Sequence, residues 1–390
     1  MKYKKKNIAI LGSTGSIGVQ SLKIISKFPH IFNVNLLICN KNYKEIISQI
    51  NKFLPKHVFI NDLKTYYLVK KKIFKKNINL YNKFSDLVKI LKTEKKYDQV
   101  IAGIPSFEGL KYCFLFVNFT KNLLVANKES VICGGSIFLK KAKASNCKIL
   151  SIDSEHYCLS QILKNYKLEY VESVYLTASG GPFLNKKNKL QKKFTIKDVI
   201  NHPTWNMGKK ISVDSATMVN KIFELIEAHV LFSIPINKIK IKIHEESLVH
   251  SAVVLKNGIV HLIMHDTSME IPIRNTLFEN NYFKQKDNYF KKTKNFILSF
   301  DEHKLKEFDI LNIGYNVLKL GHAAWIVFNV INDLLVSSFL RKEIFFYEIT
   351  LNLIKIFKKR SVILYCKKPI KKFSDIEKTI IYSRQLFEKI

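Results

Sequence analysis

The chain has 390 residues, 47% of them hydrophobic, and its 65 lysines and arginines against 31 aspartates and glutamates give a net charge of +34. This length predicts two or three domains, and the hydrophobic fraction excludes wholesale disorder. The charge would fit a nucleic-acid-binding protein, but only four basic residues are arginine, the side chain that contacts bases and phosphates bidentately. We therefore expect no nucleic-acid partner, and a general attraction for small anions.

No clean span of about 20 apolar residues occurs, and the apolar run near the N-terminus is four residues long, so we predict neither a transmembrane helix nor a signal peptide. The six cysteines form no CxxC pair, which disfavours a zinc site or a disulfide framework. We expect a cytoplasmic protein with no membrane partner.

Residues 1–150 alternate strand-like apolar runs with helix-like segments. This alternation predicts an α/β domain with a doubly wound parallel sheet of the Rossmann type. The predicted strands are 7–12, 33–39, 57–60, 78–81, 99–103 and 123–127, and the first two predicted helices are 16–27 and 43–53.

The first strand and helix are joined by AILGSTGSIGVQ, which spaces Gly12, Gly15 and Gly18 as GxxGxxG. Glycines at this place let the backbone approach a pyrophosphate, and the helix N-terminus supplies N–H groups. A purely structural turn is the alternative.

The end of the second strand discriminates between nucleotide cofactors. NAD-binding folds often place an acid there, whereas this strand ends in Cys39-Asn40-Lys41-Asn42. Lys41 would favour the 2′-phosphate of NADPH, so we predict that cofactor. A lysine placed there by chance is the alternative in so lysine-rich a chain.

The segment CKILSIDSEHYC, residues 147–158, predicts a buried strand that ends in Asp153 and Glu155. Residues two apart on a strand face the same way, and two such carboxylates repel unless a cation lies between them. A solvated acidic turn is the alternative.

The central segments offer groups for a phosphate and a metal ion. Ser179 lies on the turn TASGGPF, and HPTWNMGKKISVDSATMVNKIFE leads into a helix that we expect Asp214 or Ser215 to cap. On this helix Glu224 would share a face with Asn220 and complete an oxygen-only site with Asp153 and Glu155, suited to Mg²⁺ or Mn²⁺. Glu224 on the solvated face of an amphipathic helix is the alternative. The predicted phosphate cradle is Ser179, Ser215, Asn220 and Lys221.

The rest of the chain predicts further organisation. Residues 202–208, HPTWNMG, would be a mobile flap whose Trp205 closes over substrate. The run 238–265 predicts an antiparallel set of strands with a turn at Lys256-Asn257-Gly258. We expect an NADPH-binding domain over 1–150, an α+β catalytic domain over 151–285, a linker over 286–309 and a helical bundle over 310–390.

The motifs GSTGSIG, LLVANKES, DSEH, TASGGPF and HPTWNMGKKISVDSATMVNK occur in this order. With them the chain resembles the 1-deoxy-D-xylulose 5-phosphate reductoisomerase family over essentially its full length. The resemblance implies a homodimeric oxidoreductase that uses NADPH and a divalent metal. It would convert 1-deoxy-D-xylulose 5-phosphate, a small phosphorylated ketose, to 2-C-methyl-D-erythritol 4-phosphate in the non-mevalonate isoprenoid pathway.

The resemblance also implies roles for individual residues. Metal ligands would be Asp153, Glu155 and Glu224, which with Lys128 and His202 make up the catalytic set. Substrate contacts would be Lys128, Ser154, Glu155, Ser179, His202, Trp205, Ser215, Asn220, Lys221 and Glu224. Cofactor contacts would be Thr14, Gly15, Ser16, Ile17, Asn40, Lys41, Asn42, Asn127, Glu129 and Gly208.

Three departures from the family pattern stand out: Asn40 where glycine is common, Ile222-Phe223 in place of a Gly-Leu-type pair, and Asp333 where glutamate is usual. Two other functions remain alternatives. One is an NADPH-dependent reductase that acts on a different phosphorylated carbonyl, and the other is a basic nucleic-acid-binding protein.

Overall fold

The computed structural model describes residues 5–73, 77–184, 194–205, 207–279 and 297–389. They form two compact units. The described residues of the first unit fall within Met1–Ser130, Phe138–Asp153 and Met269–Phe283, and those of the second within Val131–Ile137, Ser154–Ser268 and Lys284–Ile390. Of the predicted linker over 286–309, residues 286–296 lie outside the described part of the chain.

The first unit contains a sheet of seven described strands, all paired in parallel in the order β4-β3-β2-β1-β5-β6-β7. Ile8, Ile10 and Leu11 of its central strand are fully buried, as in parallel sheets covered on both faces. The predicted Rossmann-type fold class is confirmed. The strands are β1 (Lys6–Leu11), β2 (Phe32–Cys39), β3 (His57–Ile60), β4 (Asn79–Tyr81), β5 (Tyr97–Ala102), β6 (Thr120–Val125) and β7 (Lys148–Ser151).

Six helices alternate with these strands: α1 (Ser16–Ile25), α2 (Tyr43–Phe53), α3 (Leu63–Lys72), α4 (Phe84–Thr93), α5 (Glu108–Phe116) and α6 (Lys128–Ala144). A further helix from later in the chain, α11 (Glu270–Leu277), packs on α1. Within α6, the segment Val131–Ile137 belongs to the second unit, and the helix is interrupted at Gly135.

The second unit combines a four-stranded sheet with helices, which bears out the predicted α+β and helical character. The sheet has the order β11-β10-β8-β9, and α7 and α10 pack on it. Its strands are β8 (Val171–Ala178), β9 (Ile239–Ile243), β10 (Val249–Leu255) and β11 (Val260–Met264). Its helices are α7 (Ser154–Leu163), α8 (Ile196–Ile200), α9 (Lys209–Ala216), α10 (Val219–Phe232), α12 (Ile310–Leu320), α13 (His322–Leu340), α14 (Phe346–Lys358), α15 (Arg360–Cys366) and α16 (Phe373–Phe387), with short 3-10 turns at Leu168–Tyr170, Ile236–Lys238 and His303–Glu307.

The antiparallel set predicted over 238–265 is only partly correct. β10 and β11 form the expected hairpin, with Gly258 at φ +86° in the turn. β9 instead pairs in parallel with β8, which lies between β9 and β10. The inserted strand comes from a distant part of the sequence, so the local pattern could not reveal it.

Two local predictions are also corrected. β7 ends at Ser151 and α7 begins at Ser154, so Glu155 lies on a helix and the two-residue strand period does not orient it. Asp214 and Ser215 lie inside α9, and the N-cap of α10 is Met218 at φ +63°. The chain turns so sharply between α9 and α10 that the expected cap residues end one helix instead of starting the next.

Helix α13 is long and apolar enough to cross a membrane on length and composition, but 83% of its apolar window is buried within the protein. The core helix of a globular unit meets the same criteria.

Candidate active site

The turn after β8 brings Ser179 close to the end of α9. Gly180 and Gly181 adopt φ values of +81° and +71°, which favour glycine. A Cβ on Gly181 would lie 3.2 Å from Cα of Ala216 and 3.3 Å from the carbonyl oxygen of Ser215. The close approach and the positive φ together favour glycine at position 181, and the contact joins the two predicted phosphate-binding segments.

His202 is buried and hydrogen-bonded to Ser179 through a defined tautomer. Its Nδ1 accepts backbone N–H groups from Thr204 at 3.2 Å and Trp205 at 3.1 Å. Burial lowers the pKa of His202 to about 4, so the ring is neutral near pH 7. Since Nδ1 is an acceptor, Nε2 carries the proton and donates to Ser179 Oγ at 3.0 Å.

The Ser179 oxygen also accepts the backbone N–H of Gly181 at 3.2 Å. Two donors thus occupy its lone pairs, and its own hydrogen points to a further acceptor. A phosphate oxygen is such an acceptor, and the arrangement therefore suits phosphate binding.

A buried lysine lies between two of the predicted metal ligands. Lys221 Nζ donates to Glu155 Oε1 at 3.0 Å and to a carboxylate oxygen of Glu224, whose other oxygen accepts from the Asn220 amide at 2.5 Å. Burial acts to lower the pKa of Lys221, but the two carboxylates outweigh burial and raise it. Lys221 is therefore charged at neutral pH and compensates the two acids.

One carboxylate oxygen of Glu155 and one of Glu224 lie within 4.8 Å of each other. Oxygen-only donors at this spacing suit a hard cation such as Mg²⁺ or Mn²⁺ better than Zn²⁺. Ser154 Oγ donates to Glu155 Oε2 at 2.6 Å and orients that carboxylate.

The two glutamate-bearing helices are connected by a histidine that the predicted site did not include. His156 is fully buried, with Nε2 3.1 Å from the Glu224 carbonyl oxygen and Nδ1 3.3 Å from Glu227 Oε2. His156 follows Glu155 directly, and Glu227 lies three residues after Glu224. This proximity to predicted metal ligands is the signal in the sequence that could have pointed to the pair.

In the first unit, Asp153 and Lys128 form a buried ion pair at the ends of neighbouring strands. Asp153 is the last residue of that unit, joined through Ser154 to Glu155. Asn127 caps α6: its Oδ1 accepts the Ser130 N–H at 2.8 Å, and its amide donates to the carbonyls of Ile104 and Ser106. Glu129, in the first turn of α6, is buried.

The glycine turn at the start of α1 has the geometry expected of a nucleotide site. Gly12 has φ +81°, and a Cβ on Gly18 would lie 2.4 Å from the Gly12 carbonyl oxygen. No larger residue fits at Gly18, so the turn comes close to the first backbone turn of α1. Exposed or half-exposed residues form the rim of the turn: Thr14, Gly15, Ser16 and Ile17.

Asn40, Lys41 and Asn42 are exposed at the end of β2. The Asn42 side chain caps α2 by accepting the Glu45 N–H at 3.2 Å. Its side-chain oxygen therefore already has a structural role, whereas Lys41 is exposed.

The segment predicted as a flap is described except for Asn206. Trp205 is half-buried, and its indole meets the His250 ring edge-on at 5.8 Å between centroids. Gly208 is exposed and is the N-cap of α9, and a Cβ at this position would have no atom of the described residues within 4 Å.

Comparison with known proteins agrees with these observations. Family models match residues 8–135 (1-deoxy-D-xylulose 5-phosphate reductoisomerase), residues 149–232 (its C-terminal domain) and residues 264–385 (DXP reductoisomerase C-terminal domain). The reductoisomerase of Pelagibacter ubique is 39% identical over 90% of both chains, and that of Clostridium novyi is 38% identical over 88% of this chain and 90% of that protein.

Solved structures agree over nearly the whole chain. A crystal structure of DOX-P reductoisomerase with NADPH, fosmidomycin and magnesium has a TM-score of 0.89 at 28% identity, covering 98% of this chain and 97% of the other. The Zymomonas mobilis enzyme with NADPH has a TM-score of 0.86 at 28% identity, covering 99% and 100%. The chain belongs to the 1-deoxy-D-xylulose 5-phosphate reductoisomerase family.

Proposed function

We propose that this chain isomerises and reduces 1-deoxy-D-xylulose 5-phosphate to 2-C-methyl-D-erythritol 4-phosphate, using NADPH and a divalent metal. The observation that carries the proposal is the buried Lys221 ammonium between Glu155 and Glu224, on a helix that also presents Asn220. Family membership and the NADPH, fosmidomycin and magnesium bound to a relative support the same reaction.

Asp153, Glu155 and Glu224 would hold the metal ion. Glu155 and Glu224 supply paired oxygens, and Asp153 is separated from Glu155 by one residue. The ion would supply Lewis-acid polarisation of the substrate's oxygens. Ser154 would orient the Glu155 carboxylate by its hydrogen bond. Lys128 would orient the Asp153 carboxylate through their ion pair.

Ser179, Ser215, Asn220 and Lys221 would bind the phosphate. Neutral His202 fixes the Ser179 hydroxyl so that its hydrogen faces the ligand, and Lys221 supplies positive charge. The phosphate is remote from the reacting carbons, and its binding energy would orient them. Binding of a remote group raises turnover in this way. Trp205 would exclude water over the bound substrate.

Bound NADPH would supply the hydride. The turn at Thr14, Gly15, Ser16 and Ile17 would bind its pyrophosphate, because it presents N–H groups at the start of α1. Lys41 would bind the 2′-phosphate, with Asn40 and Asn42 beside it. Asn127, Glu129 and Gly208 complete the proposed cofactor set.

One assay separates this function from its alternatives: NADPH oxidation with 1-deoxy-D-xylulose 5-phosphate, with and without Mg²⁺ or Mn²⁺. We expect turnover only with metal. Metal-independent reduction of another phosphorylated carbonyl would indicate the different reductase. Salt-sensitive DNA or RNA binding without turnover would indicate the nucleic-acid-binding protein.

The protein would act as a homodimer in the cytoplasm. The edge strand β11 exposes Val260 by 51% and Leu262 by 46%, an apolar edge that a second copy would cover. We expect a dimer mass in light scattering and a monomer for Leu262→Lys. A monomeric wild type would contradict the dimer.

A further inference from the structure

The ammonium of Lys210 meets two buried carboxylates from two helices. Its Nζ lies 2.8 Å from Asp214 Oδ2, four residues on in α9, and 3.0 Å from Asp333 Oδ1 on α13. Asp214 Oδ1 accepts the Asn332 amide at 2.8 Å. Asp214 and Asp333 are only 1% and 6% exposed, and carboxylates so buried are stable only when paired. Lys210 is thus a counter-ion shared by Asp214 on α9 and Asp333 on α13.

The same ammonium contacts a third helix. Its Nζ lies 5.0 Å from the centre of the Phe223 ring, and Phe223 is 1% exposed on α10. Phe223 directly precedes Glu224, on the helix that carries Asn220 and Lys221. Lys210 therefore connects α9 to both α10 and α13.

The position of α9 decides where Ser215 lies. Ser215 follows Asp214 directly, and a Cβ on Gly181 would lie 3.2 Å from Ala216 Cα and 3.3 Å from the Ser215 carbonyl oxygen, tighter than an ordinary contact. A slide or rotation of α9 by an ångström would change the distance from Ser215 to the Ser179 turn. Lys210 also lies two residues after Gly208, the N-cap of α9.

We propose that Lys210 is a positioning residue for the substrate's phosphate: held by Asp214 and Asp333, it fixes α9 so that Ser215 stays in register with the Ser179 turn. This role rests on the proposed function, which assigns the phosphate to Ser179, Ser215, Asn220 and Lys221. The ammonium itself faces the two aspartates, so it acts through Ser215.

The test measures the KM values for 1-deoxy-D-xylulose 5-phosphate and for NADPH, kcat, and the Tm of the metal-free enzyme. Lys210→Met removes the charge and keeps the length of the side chain. Asp333→Asn removes the partner charge, and Asp333→Glu retains it. Lys209→Met is the matched control, since Lys209 is its exposed neighbour.

For Lys210→Met and Asp333→Asn we expect KM for the phosphorylated substrate to rise about tenfold, because a buried ion pair is lost, with KM for NADPH unchanged within about twofold. Asp333→Glu and Lys209→Met should keep the wild-type values. In the double variant Lys210→Met with Asp333→Asn, the two rises in KM should not add, because both substitutions remove the same Lys210–Asp333 ion pair.

An unchanged substrate KM in folded Lys210→Met overturns the proposal. So does an equal rise in both KM values with a lowered Tm, which is what a purely structural role would produce. If Lys210→Met does not fold, the difference between Asp333→Asn and Asp333→Glu decides, and equal substrate KM values in those two variants overturn the proposal. A wild type without turnover overturns the proposed function itself.

Discussion

At the scale of single residues, Glu224 gives the sharpest test of the metal site. Glu224→Gln keeps the shape of the side chain but removes the charge that faces Lys221. We expect Mg²⁺ or Mn²⁺ affinity to fall and turnover to drop by about 100-fold or more. Isothermal titration with the metal and steady-state kinetics check both. Glu172→Gln, at an exposed position of β8, is the control. Wild-type affinity and turnover in Glu224→Gln would remove Glu224 from the site.

Lys41 tests which nucleotide the first unit prefers. Its exposed ammonium at the end of β2 would pair with the 2′-phosphate of NADPH, a contact worth roughly 1–3 kcal/mol. Lys41→Ala should therefore reduce the NADPH/NADH ratio of kcat/KM by about 5- to 150-fold. Lys44→Ala, an exposed position three residues further along the chain, should keep the ratio. An unchanged ratio in Lys41→Ala would mean that another residue binds the phosphate.

His250 predicts the pH dependence of stability. Burial, followed by the stacked His265 ring, lowers the pKa of His250 from the usual 6.5 to about 3. The unfolded chain therefore binds a proton near pH 6.5 that the folded protein refuses until about pH 3. Stability from this group is fully present above pH 6.5 and falls on acidification, by up to about 1.4 kcal/mol per pH unit.

The urea midpoint of the metal-free protein at pH 7.5, 6.0 and 5.0 measures this slope. His250→Gln should flatten it, while His202, whose pKa is lowered by burial to about 4, still contributes over the same range. His303→Gln, at an exposed position, should leave it as in the wild type. A slope that His250→Gln does not change would exclude the histidine as its source.

At the scale of elements, the segment 202–208 should close over substrate. Trp205 is half-buried against His250, and Gly208 at its far end is exposed. Trp325→Phe leaves Trp205 as the only indole, at the loss of one hydrogen bond from Trp325 Nε1 to the Leu318 carbonyl. In that background, iodide quenching should fall when substrate or a phosphonate mimic binds the metal-loaded enzyme. Equal quenching with and without ligand would contradict closure.

Elements set by nearby residues were predictable, and those set by distant ones were not. β1, its glycine turn and α1 follow from an apolar run and three glycines within residues 8–18. The parallel pairing of β9 with β8, and the left-handed Met218 before α10, depend on packing that no local pattern shows. Asp153, Glu155 and Glu224 could be proposed as metal ligands from their motifs, whereas the contact of Lys210 with Asp333 joins residues 123 apart and was not predicted.

At the scale of the whole molecule, the net charge of +34 should act on the rate of substrate capture. A positive surface raises the local concentration of an anionic ketose phosphate, and salt screens this field over about 10 Å at 0.1 M. We expect kcat/KM to fall about threefold or more between about 20 and 200 mM potassium chloride, with kcat nearly constant, because only encounter is affected. Potassium acetate at equal ionic strength is the control for chloride binding in the phosphate site. Equal kcat/KM across the range, or a fall with one salt only, would show that the charge does not steer the substrate.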